Sequence, residues 1–564
     1  MTVGIDFGTS TSEIAYIGKD GKLNIVPNHL GEQITPSAVY IESDGSDVVG
    51  REAKGMVAIE PENTFLEVKR LFGQSAKLKA RGKAYTPVGI AAKIIKYLVG
   101  CAEKHAGEAI DSAVITVPAY FTDSQRKDVI AAGKEAGLNV ERIINEPTAA
   151  SLDYGISHIR DCNHILVYDF GGGTLDVTVL ELFEGVVEVK SSCGNSALGG
   201  KDFDQDLIDH ISGVIKKQDG IDLSGDARAM MRIKVAAEQC KIALSTDKAH
   251  MLELPFLFSK GGEPAGYIER ITRVDFEDMA HGKIYSTEKQ IKTALADAGL
   301  EKGDIGLALL VGGSTRIPLV KQFLFETFGF KPKAAVDPDL AVVRGAAIQA
   351  GVLSGALDKD AIVLTDVCPH SLSTCVVKEG PLGYDSLICD ILIKRNATLP
   401  ASVSNVYVTA HDNQTQVRVD AYQGESEDPA ENYLLNTFLL GGIPKAREGK
   451  EKINIQFEYD LNGILKVRAE IMSTGKQASV AVDTAAVGKN LELSKWKESR
   501  FASRYRQIIG KADRLAKVHG SKAKRVESAA TELKKALALG WDEEIVSTLA
   551  IKLTFEVMRL ENND

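Results

Sequence analysis

Two stretches of the sequence share one pattern, in which an aspartate at the end of an apolar run is followed by glycine and hydroxyl residues. They are Ile5-Asp-Phe-Gly-Thr-Ser-Thr11 and Tyr168-Asp-Phe-Gly-Gly-Gly-Thr174. Glycine lets the backbone turn and approach a ligand closely, and amides and hydroxyls can hold phosphate oxygens. Two such turns facing each other could hold a polyphosphate. Because the carboxylates of Asp6 and Asp169 would repel phosphate, we expect Mg²⁺ between them, held partly through water.

A third glycine-rich turn, Leu310-Val-Gly-Gly-Ser-Thr-Arg316, follows another apolar run. A predicted helix over 235–244 places polar side chains on one face, namely Glu238, Lys241 and, just past its end, Ser245. Donors and acceptors beside a flat glycine platform fit a base and a ribose, and Arg316 could stack on a purine ring. The same three polar residues would also be ordinary on a solvated helix face.

The chain that must position these turns divides into three regions of different composition. Residues 1 to about 357 alternate β-rich and helical runs, which is typical of α/β domains, and the repeated turn indicates a duplicated half with a cleft between the copies. Residues 359–366 form a short apolar run bracketed by acids, either an edge strand or a linker. From about 367 to 485 short β-branched runs alternate with turns, which predicts an antiparallel sandwich. After 490 the pattern becomes helical, with an apolar stripe at Phe501, Tyr505, Ile508, Ala512 and Leu515.

The composition is that of a soluble globular chain, with 44% apolar and 26% charged residues among 564. It excludes a disordered chain, a collagen-like fibre and a membrane protein. Seven cysteines without a C-x-x-C pair favour neither a disulfide framework nor a zinc site. Because residues 3–8 already indicate a strand and a turn, we expect no secretion signal and a cytoplasmic location. The basic stretch 491–540 is either a solvated helical face or a surface for an anionic partner, with nucleic acid the least favoured.

Together these motifs resemble those of the heat-shock-70 (DnaK-type) chaperone family, whose nucleotide domain shares the actin and sugar-kinase fold. The matching segments are Gly4–Thr11, Thr116–Phe121, Ile143–Ala150, Asp169–Asp176, Val311–Pro318 and the linker-like Ile362–Val367. The matches extend from residue 3 to about 470. The short length and Thr365-Asp-Val-Cys-Pro369 are most similar to the HscC-like members.

The resemblance implies a multidomain chain. We expect an α/β actin-like, sugar-kinase-like ATPase domain over residues 1–357 and an interdomain linker over 358–367. An antiparallel β-sandwich that binds peptides is expected over 368–490, and a short α-helical lid over 491–564. The last segment is well short of a full helical lid.

The resemblance also implies a function. The expected activity is that of an ATP-dependent molecular chaperone, which binds extended apolar segments of unfolded proteins and couples hydrolysis of ATP to ADP and phosphate to peptide affinity. Expected partners are unfolded clients, a J-domain co-chaperone and a nucleotide exchange factor, with neither membrane nor nucleic acid.

For catalysis, the resemblance assigns Lys69, within Val68-Lys-Arg-Leu71, to the γ-phosphate and the attacking water. That role is reasonable because phosphoryl transfer to water depends mostly on positioning and charge stabilisation. Glu146 would order the water and the metal shell, and Thr174 and Thr9 would donate hydroxyls to phosphate beside Asp169. The expected nucleotide-binding residues are Gly8, Thr9, Ser10, Thr11, Gly171, Gly172, Gly173, Gly199, Gly200, Glu238, Lys241, Ser245, Gly312, Gly313, Ser314, Arg316, Ile317 and Asp339.

Two further sets of residues follow from the same resemblance. The expected peptide groove contains Tyr407, Ala410, Val417 and Val419. The residues expected to transmit the signal between domains are Arg126, Ile362, Leu364 and Asp366. One departure lies near the cleft, where the family's Gly-Gly-Glu-Asp-Phe-Asp reads Gly199-Gly-Lys-Asp-Phe-Asp204, so that Lys201 reverses a charge.

Two other functions would use a similar ATP cleft. One is an actin-fold kinase for a small molecule, and the other is an actin-like filament protein. Neither function explains residues 367–564, because neither activity requires a sandwich and a helical segment behind an apolar linker.

Overall fold

The computed structural model describes residues 1–158, 164–183, 186–334, 337–358, 363–379, 385–481, 496–497, 499, 501–519, 523–538 and 543–562. The chain divides into two compact units. The first comprises Met1–Ser371, Leu392–Asn405 and Gln456–Lys466, and the second comprises Leu372–Ile391, Val406–Ile455 and Val467–Asp564. The domain limits at 357, 367 and 490 stay predictions.

The first unit contains two sheets with the same arrangement. In each, a central strand pairs antiparallel with the next strand and parallel with a later one. The central strands are Thr2–Phe7 and His164–Phe170. Their antiparallel and parallel partners are Thr11–Ile17 and Ser112–Val117 in the first sheet, and Leu175–Phe183 and Leu307–Val311 in the second. This shared topology agrees with the duplication that the repeated motif indicates.

Further strands complete these sheets. Asn139–Asn145, Leu23–Ile25 and Thr35–Pro36 belong to the first, and Lys333–Ala334, Val186–Asn195 and Val363–Thr365 to the second. The smaller sheets of the first unit consist of Ala38–Ile41, Asp47–Val49 and Thr64–Leu66, of Leu78–Ala80 and Lys83–Tyr85, and of Ala249–Lys260 and Glu263–Thr272.

Helices cover the sheets, and we call residues 1–158 the first lobe and residues 164–334 the second lobe. The first lobe contains helices Arg51–Met56, Pro87–Ala106, Asp123–Glu135 and Glu146–His158. The second contains Gly200–Asp219, Ala227–Leu244, Arg273–Ser286, Glu288–Ala298 and Pro318–Phe328. Helix Ala341–Ser354 follows and packs on strand Thr2–Phe7.

Local sequence explains where these helices begin and end. Thr86 caps helix Pro87–Ala106 by accepting a hydrogen bond from the Gly89 amide, and Pro87 occupies the first helical position. Gly107, with a positive φ, ends the same helix. Thr122 and Gln125 form a reciprocal capping box at the start of helix Asp123–Glu135.

Each lobe has its own apolar core, and a third core joins them. The first lobe buries residues such as Ile5, Phe7, Ile90 and Val129, and the second buries Tyr168, Phe170, Phe203 and Ile233. The joining core contains Val114 and Ile144 of the first lobe with Val167 and Leu309 of the second. The lobes are therefore firmly connected below the turns that the repeated motif forms.

The remaining strands form two four-stranded sheets. One has the order Asp385–Ile393, Leu372–Glu379, Gln416–Gln423 and Tyr433–Gly441, and the other Ala401–Val408, Lys452–Tyr459, Leu465–Ile471 and Lys476–Ala481. Burial alternates along Lys452–Tyr459 and Leu465–Ile471, as expected for strands with one face on a core. The predicted β-rich region is confirmed.

Three helices complete the second unit, Ala502–His519, Lys524–Ala538 and Glu543–Asn562. They share one apolar core, which buries Tyr505, Ile509, Leu533 and Leu553 and also includes the predicted stripe residues. The helical C-terminal region is therefore confirmed. Among the described residues, no helix combines the length and the apolar character needed to cross a membrane.

Candidate functional site

The two repeated turns face each other in the first unit. A Cβ atom built on Gly172 would lie 2.3 Å from the Ser10 hydroxyl oxygen, and one built on Gly173 would lie 3.1 Å from the Thr9 hydroxyl oxygen. A larger residue at 172 would therefore displace the Ser10 side chain. The turns thus form the two walls of one cleft, as the sequence pattern predicts.

Helix Gly200–Asp219 begins directly against the second turn. The amides of Gly200 and Lys201 donate hydrogen bonds to the carbonyl oxygens of Gly171 and Gly172, at 3.0 and 2.9 Å. The N-terminus of a helix favours anions, because the helix dipole is positive there. This end of the cleft is suited to phosphate.

Lys69 lies between the turns although it is far from both in sequence. Its side chain is 2% exposed, and its ammonium group donates hydrogen bonds to the Phe7 carbonyl oxygen and to Glu146 Oε1, the latter at 2.7 Å. A lysine held this deeply by one carbonyl and one carboxylate is fixed in position. The structure therefore brings Lys69 and Glu146 together with Asp6 and Asp169.

The carboxylates of the cleft have strongly perturbed pKa values. Burial raises the pKa of Asp6 to about 7, the nearby Glu146 adds to the increase, and Lys69 opposes it. Burial, followed by the charges of Glu146 and Asp176, raises the pKa of Asp169 well above its usual value. Asp6 accepts a hydrogen bond from Thr116 at 2.6 Å, whereas Oδ2 of Asp169 is buried without a partner. A site that crowds acids in this way favours a bound cation.

Sequence reasoning missed two buried acids, one in the lining of this cleft and one beside it. Asp176 is buried, accepts a hydrogen bond from the Tyr120 amide at 3.2 Å, and burial and Glu146 raise its pKa to about 7. Glu13 lines the cleft opposite Asp6 in the first hairpin and is 2% exposed. Each lies near the start of the strand that directly follows a repeated turn, which is the signal that could have identified it.

The cleft is a cavity of 620 Å³ whose lining includes every predicted catalytic and metal residue. It also contains all predicted nucleotide residues except Gly199. That residue packs against the second turn, where a Cβ atom would lie 2.5 Å from Gly173 Cα. Lining residues that were not predicted are Glu13, Pro118, Ile242, Thr246, Lys321, Pro338 and Val342.

The third glycine turn closes the far end of the cavity. Ser314 donates a hydrogen bond to the Gly171 carbonyl oxygen at 2.8 Å, which ties this turn to the second one. Arg316 is half exposed at the rim and pairs with Asp339 at 2.6 Å and Asp337 at 3.1 Å. The guanidinium plane is thus held in place, which suits it to stacking on a planar ring.

The helix residues predicted beside the base also line the cavity. Lys241 pairs with Asp204 at 2.7 Å and donates to the Gly200 carbonyl oxygen at 3.0 Å. Glu238 pairs with Lys54 of the first lobe at 2.6 Å. These side chains form contacts within the protein, so this face of the helix is not simply solvated.

Comparison with known proteins identifies the family. A family model described as Hsp70 protein matches residues 2–562. The chaperone protein DnaK of Thermotoga petrophila is 44% identical over 486 residues, which is 86% of this chain and 80% of the relative. DnaK of Thermosipho africanus is 43% identical over 483 residues, or 85% and 79% of the two chains. The chain belongs to the Hsp70 family.

This Hsp70 is therefore an ATP-dependent chaperone with ATPase activity, and proteins of its DnaK type bind unfolded polypeptides. The family resemblance noted from the motifs is confirmed. The kinase and filament alternatives are not favoured. The functions of individual residues stay predictions.

In the predicted linker of this Hsp70, Val363–Thr365 form an edge strand. Val363–Thr365 pairs parallel with the strand Val186–Asn195, in register Val186 to Val363. The edge-strand alternative therefore describes these three residues. Leu364 is half-buried there, and Ile362 lies outside the described residues.

Asp366 and Arg126 belong to one buried hydrogen-bond chain within the first unit. Arg126 donates to Asn145 Oδ1 at 2.7 Å, and Asn145 donates to Asp366 Oδ2 at 2.8 Å. Burial raises the pKa of Asp366. The structure thus connects two of the predicted coupling residues through Asn145, which sequence reasoning missed.

The predicted groove residues are less enclosed. Tyr407 is half-buried and donates a hydrogen bond to Asp390 at 2.7 Å, and the Ala410 amide donates to the Gln414 side chain at 2.8 Å. Val417 is half-buried, whereas Val419, two residues along the same strand, is 1% exposed. In this structure Val419 thus offers little surface to a ligand.

Proposed function

We propose that the cleft binds ATP between the two repeated turns and that Lys69 and Glu146 act at its γ-phosphate. The observation that carries this proposal is the buried Lys69, held between the first turn and Glu146. A fixed ammonium group can stabilise charge on the phosphoryl group without first reorganising. Glu146, 2.7 Å from the ammonium group, is suited to orient the attacking water.

Mg²⁺ fits the acids of this cleft. The buried Oδ2 of Asp169 has no partner, and Asp6 lies on the facing turn. Among the described residues, no group of three or more acid, histidine or cysteine side chains has metal-binding spacing. The cation would be held partly through water. Bound there, Mg²⁺ would neutralise phosphate charge.

The prediction is that Asp169→Asn weakens the Mg²⁺ dependence of ADP affinity, measured by calorimetry.

Nucleotide recognition is shared among the three glycine turns and the helix Ala227–Leu244. Thr9 and Thr174 donate hydroxyls to phosphate, and the positive end of the dipole of helix Gly200–Asp219 favours its negative charge. Arg316, held by Asp337 and Asp339, stacks on the purine, while Glu238, Lys241 and Ser245 approach the ribose and the base. These roles are supported by the lining of the cavity.

The sandwich over 368–490 is proposed to bind extended apolar peptide segments near Tyr407, Ala410 and Val417. Strand-like recognition supplies affinity through backbone hydrogen bonds and selectivity through pockets. Residues 358–367 act as the linker that couples it to ATP, with Arg126, Leu364 and Asp366 as coupling residues. The helices of 491–564 form a short lid.

The proposed setting is the cytoplasm, with a J-domain co-chaperone that stimulates hydrolysis and a nucleotide exchange factor that speeds ADP release. Family membership supports both partners, and cysteine spacing unsuited to a disulfide framework supports the location.

ATP hydrolysis measured with and without an apolar heptapeptide tests the proposal. We expect the peptide to stimulate steady-state hydrolysis several-fold, whereas sugars and polyols do not. A charged heptapeptide of the same length is the control. Stimulation by a polyol and not by the apolar peptide would contradict the proposal.

A further inference from the structure

Lys201 occupies an unusual position for a cation. It stands in the first turn of helix Gly200–Asp219, where the helix dipole favours negative charge, and it is 10% exposed. Burying an unpaired ammonium group there would be strongly destabilising. The side chain must therefore be stabilised by specific partners.

Three carboxylates surround the Lys201 ammonium group. They are Glu238 at 3.4 Å, Glu67 at 3.6 Å and Asp204 at 3.8 Å. Burial lowers the pKa of Lys201, but these acids outweigh it and raise that pKa above its usual value. Lys201 is thus a charged member of a well-enclosed cluster.

The cluster joins the two lobes. Glu67 belongs to the first lobe and also pairs with Lys234 of the second at 2.7 Å. Burial raises the pKa of Glu67, but Lys201 and Lys234 outweigh that effect and lower it below its usual value. Glu67 is therefore an anion held by two cations of the opposite lobe.

Glu67 in turn begins the segment that carries Lys69. It has φ 58°, in the left-handed region that non-glycine residues rarely adopt and that strains the backbone. It immediately precedes the single turn Val68–Leu71, and its carbonyl oxygen accepts a hydrogen bond from the Arg70 amide at 3.0 Å. Holding the Glu67 side chain thus fixes the start of the turn that contains Lys69.

Lys201 also contacts the second phosphate turn through its backbone. Its amide donates to the Gly172 carbonyl oxygen at 2.9 Å, while its ammonium group lies at Glu67. One residue therefore connects the turn that we propose to hold phosphate with the turn that positions Lys69. A glutamate at 201 would face Glu67, Asp204 and Glu238 with a like charge.

We propose that Lys201 is a positioning residue for ATP hydrolysis, which through Glu67 holds Lys69 in register with the second phosphate turn when the two lobes are together. This inference rests on the proposed role of Lys69. It assigns a function to the charge reversal at 201: in this chain a lysine makes the link between the lobes that a glutamate cannot make with Glu67.

Single-turnover hydrolysis and equilibrium ATP binding test the inference on the full chain. We expect Lys201→Gln and Glu67→Gln each to slow hydrolysis about tenfold while ATP affinity changes less than about threefold, because misplacement of a reacting group affects the rate more than binding. The double variant should lose no more than Glu67→Gln alone, because Glu67→Gln already breaks the link to Lys201. Lys201→Arg should retain most of the rate.

Lys216→Gln is the matched control, because Lys216 lies on the same helix in an exposed ion pair with Asp222. It should hydrolyse ATP at the wild-type rate. Lys201→Glu should be slower than Lys201→Gln; if it does not fold, the two glutamine variants carry the test. Wild-type hydrolysis in Lys201→Gln, or losses in the double variant that multiply, would overturn the inference.

Lys69→Ala separates this inference from the proposed function. If Lys69→Ala is inactive while Lys201→Gln is normal, the inference about Lys201 fails and the role of Lys69 stands. If Lys69→Ala hydrolyses ATP at the wild-type rate, the proposed function of Lys69 fails, and the inference fails with it.

Discussion

The nucleotide cleft and the predicted peptide groove differ in how their working side chains are held. In the cleft, Lys69 is almost fully buried and fixed by a carbonyl and a carboxylate. In the groove, Tyr407 and Val417 are half-buried. The difference matches the proposed tasks, because phosphoryl transfer requires one geometry, whereas a chaperone must accept many sequences. Fixed charges therefore belong to the cleft and adaptable apolar surface to the groove.

The largest expected effect concerns the nucleotide cleft, where the side chains are held in fixed positions. Lys69→Ala should slow single-turnover ATP hydrolysis by at least about a hundredfold, because it removes a preorganised charge from the reacting phosphoryl group. ATP affinity should change little, because the three glycine turns do the binding. Lys19→Ala, at a lysine whose side chain is 92% exposed, is the control. Near-normal hydrolysis in Lys69→Ala would remove that residue from the mechanism.

The next prediction concerns the connection between the two activities. Asp366→Ala breaks the buried chain through Asn145 to Arg126, so we expect basal hydrolysis within about twofold of wild type and loss of peptide stimulation. Leu364→Asp should act in the same way by disfavouring the edge strand. Steady-state hydrolysis with and without peptide measures both, with the exposed Asp222→Ala as control. Full stimulation in both variants would make the segment a simple tether.

The smallest expected effect lies in the helical segment. The segment contains three helices that share one core, which we expect to be too small to hold the groove closed. Affinity differences among related complexes arise mainly in the off-rate. Deleting residues 520–564 should therefore change peptide release from the ADP state by less than about tenfold, or about 1.4 kcal/mol. Stopped-flow release of a labelled peptide measures this. A hundredfold faster release would show that the short segment latches the groove.

Features that depend on residues close together in sequence could be predicted, whereas features that depend on distant residues could not. The repeated turns were predictable because each needs glycine at fixed positions beside an aspartate, a demand that is local in sequence. The lining of the cavity followed from those turns. Lys69 became a candidate only through family resemblance, since its partner Phe7 is remote in sequence and nothing local marks a buried lysine.

Other features of the site depend on contacts between distant segments. The pair of Lys201 with Glu67 joins residues from two lobes, and Lys201 and Glu238 lie on separate helices, so no local pattern reveals either contact. The parallel pairing of Val363–Thr365 with Val186–Asn195 is equally remote, and the sequence left an edge strand and a linker as alternatives. Burial of Val419 likewise depends on the packing around its strand.

The central claim is that ATP in the cleft controls peptide affinity. Equilibrium binding of a fluorescent apolar heptapeptide tests it most directly, comparing ADP with ATP on Lys69→Ala so that ATP persists. We predict that ATP weakens peptide binding by about tenfold to a hundredfold, which is a coupling free energy of about 1–3 kcal/mol, and that peptide weakens ATP binding by the same factor. Equal peptide affinity in the two nucleotide states, with both nucleotides shown to be bound, would contradict the account.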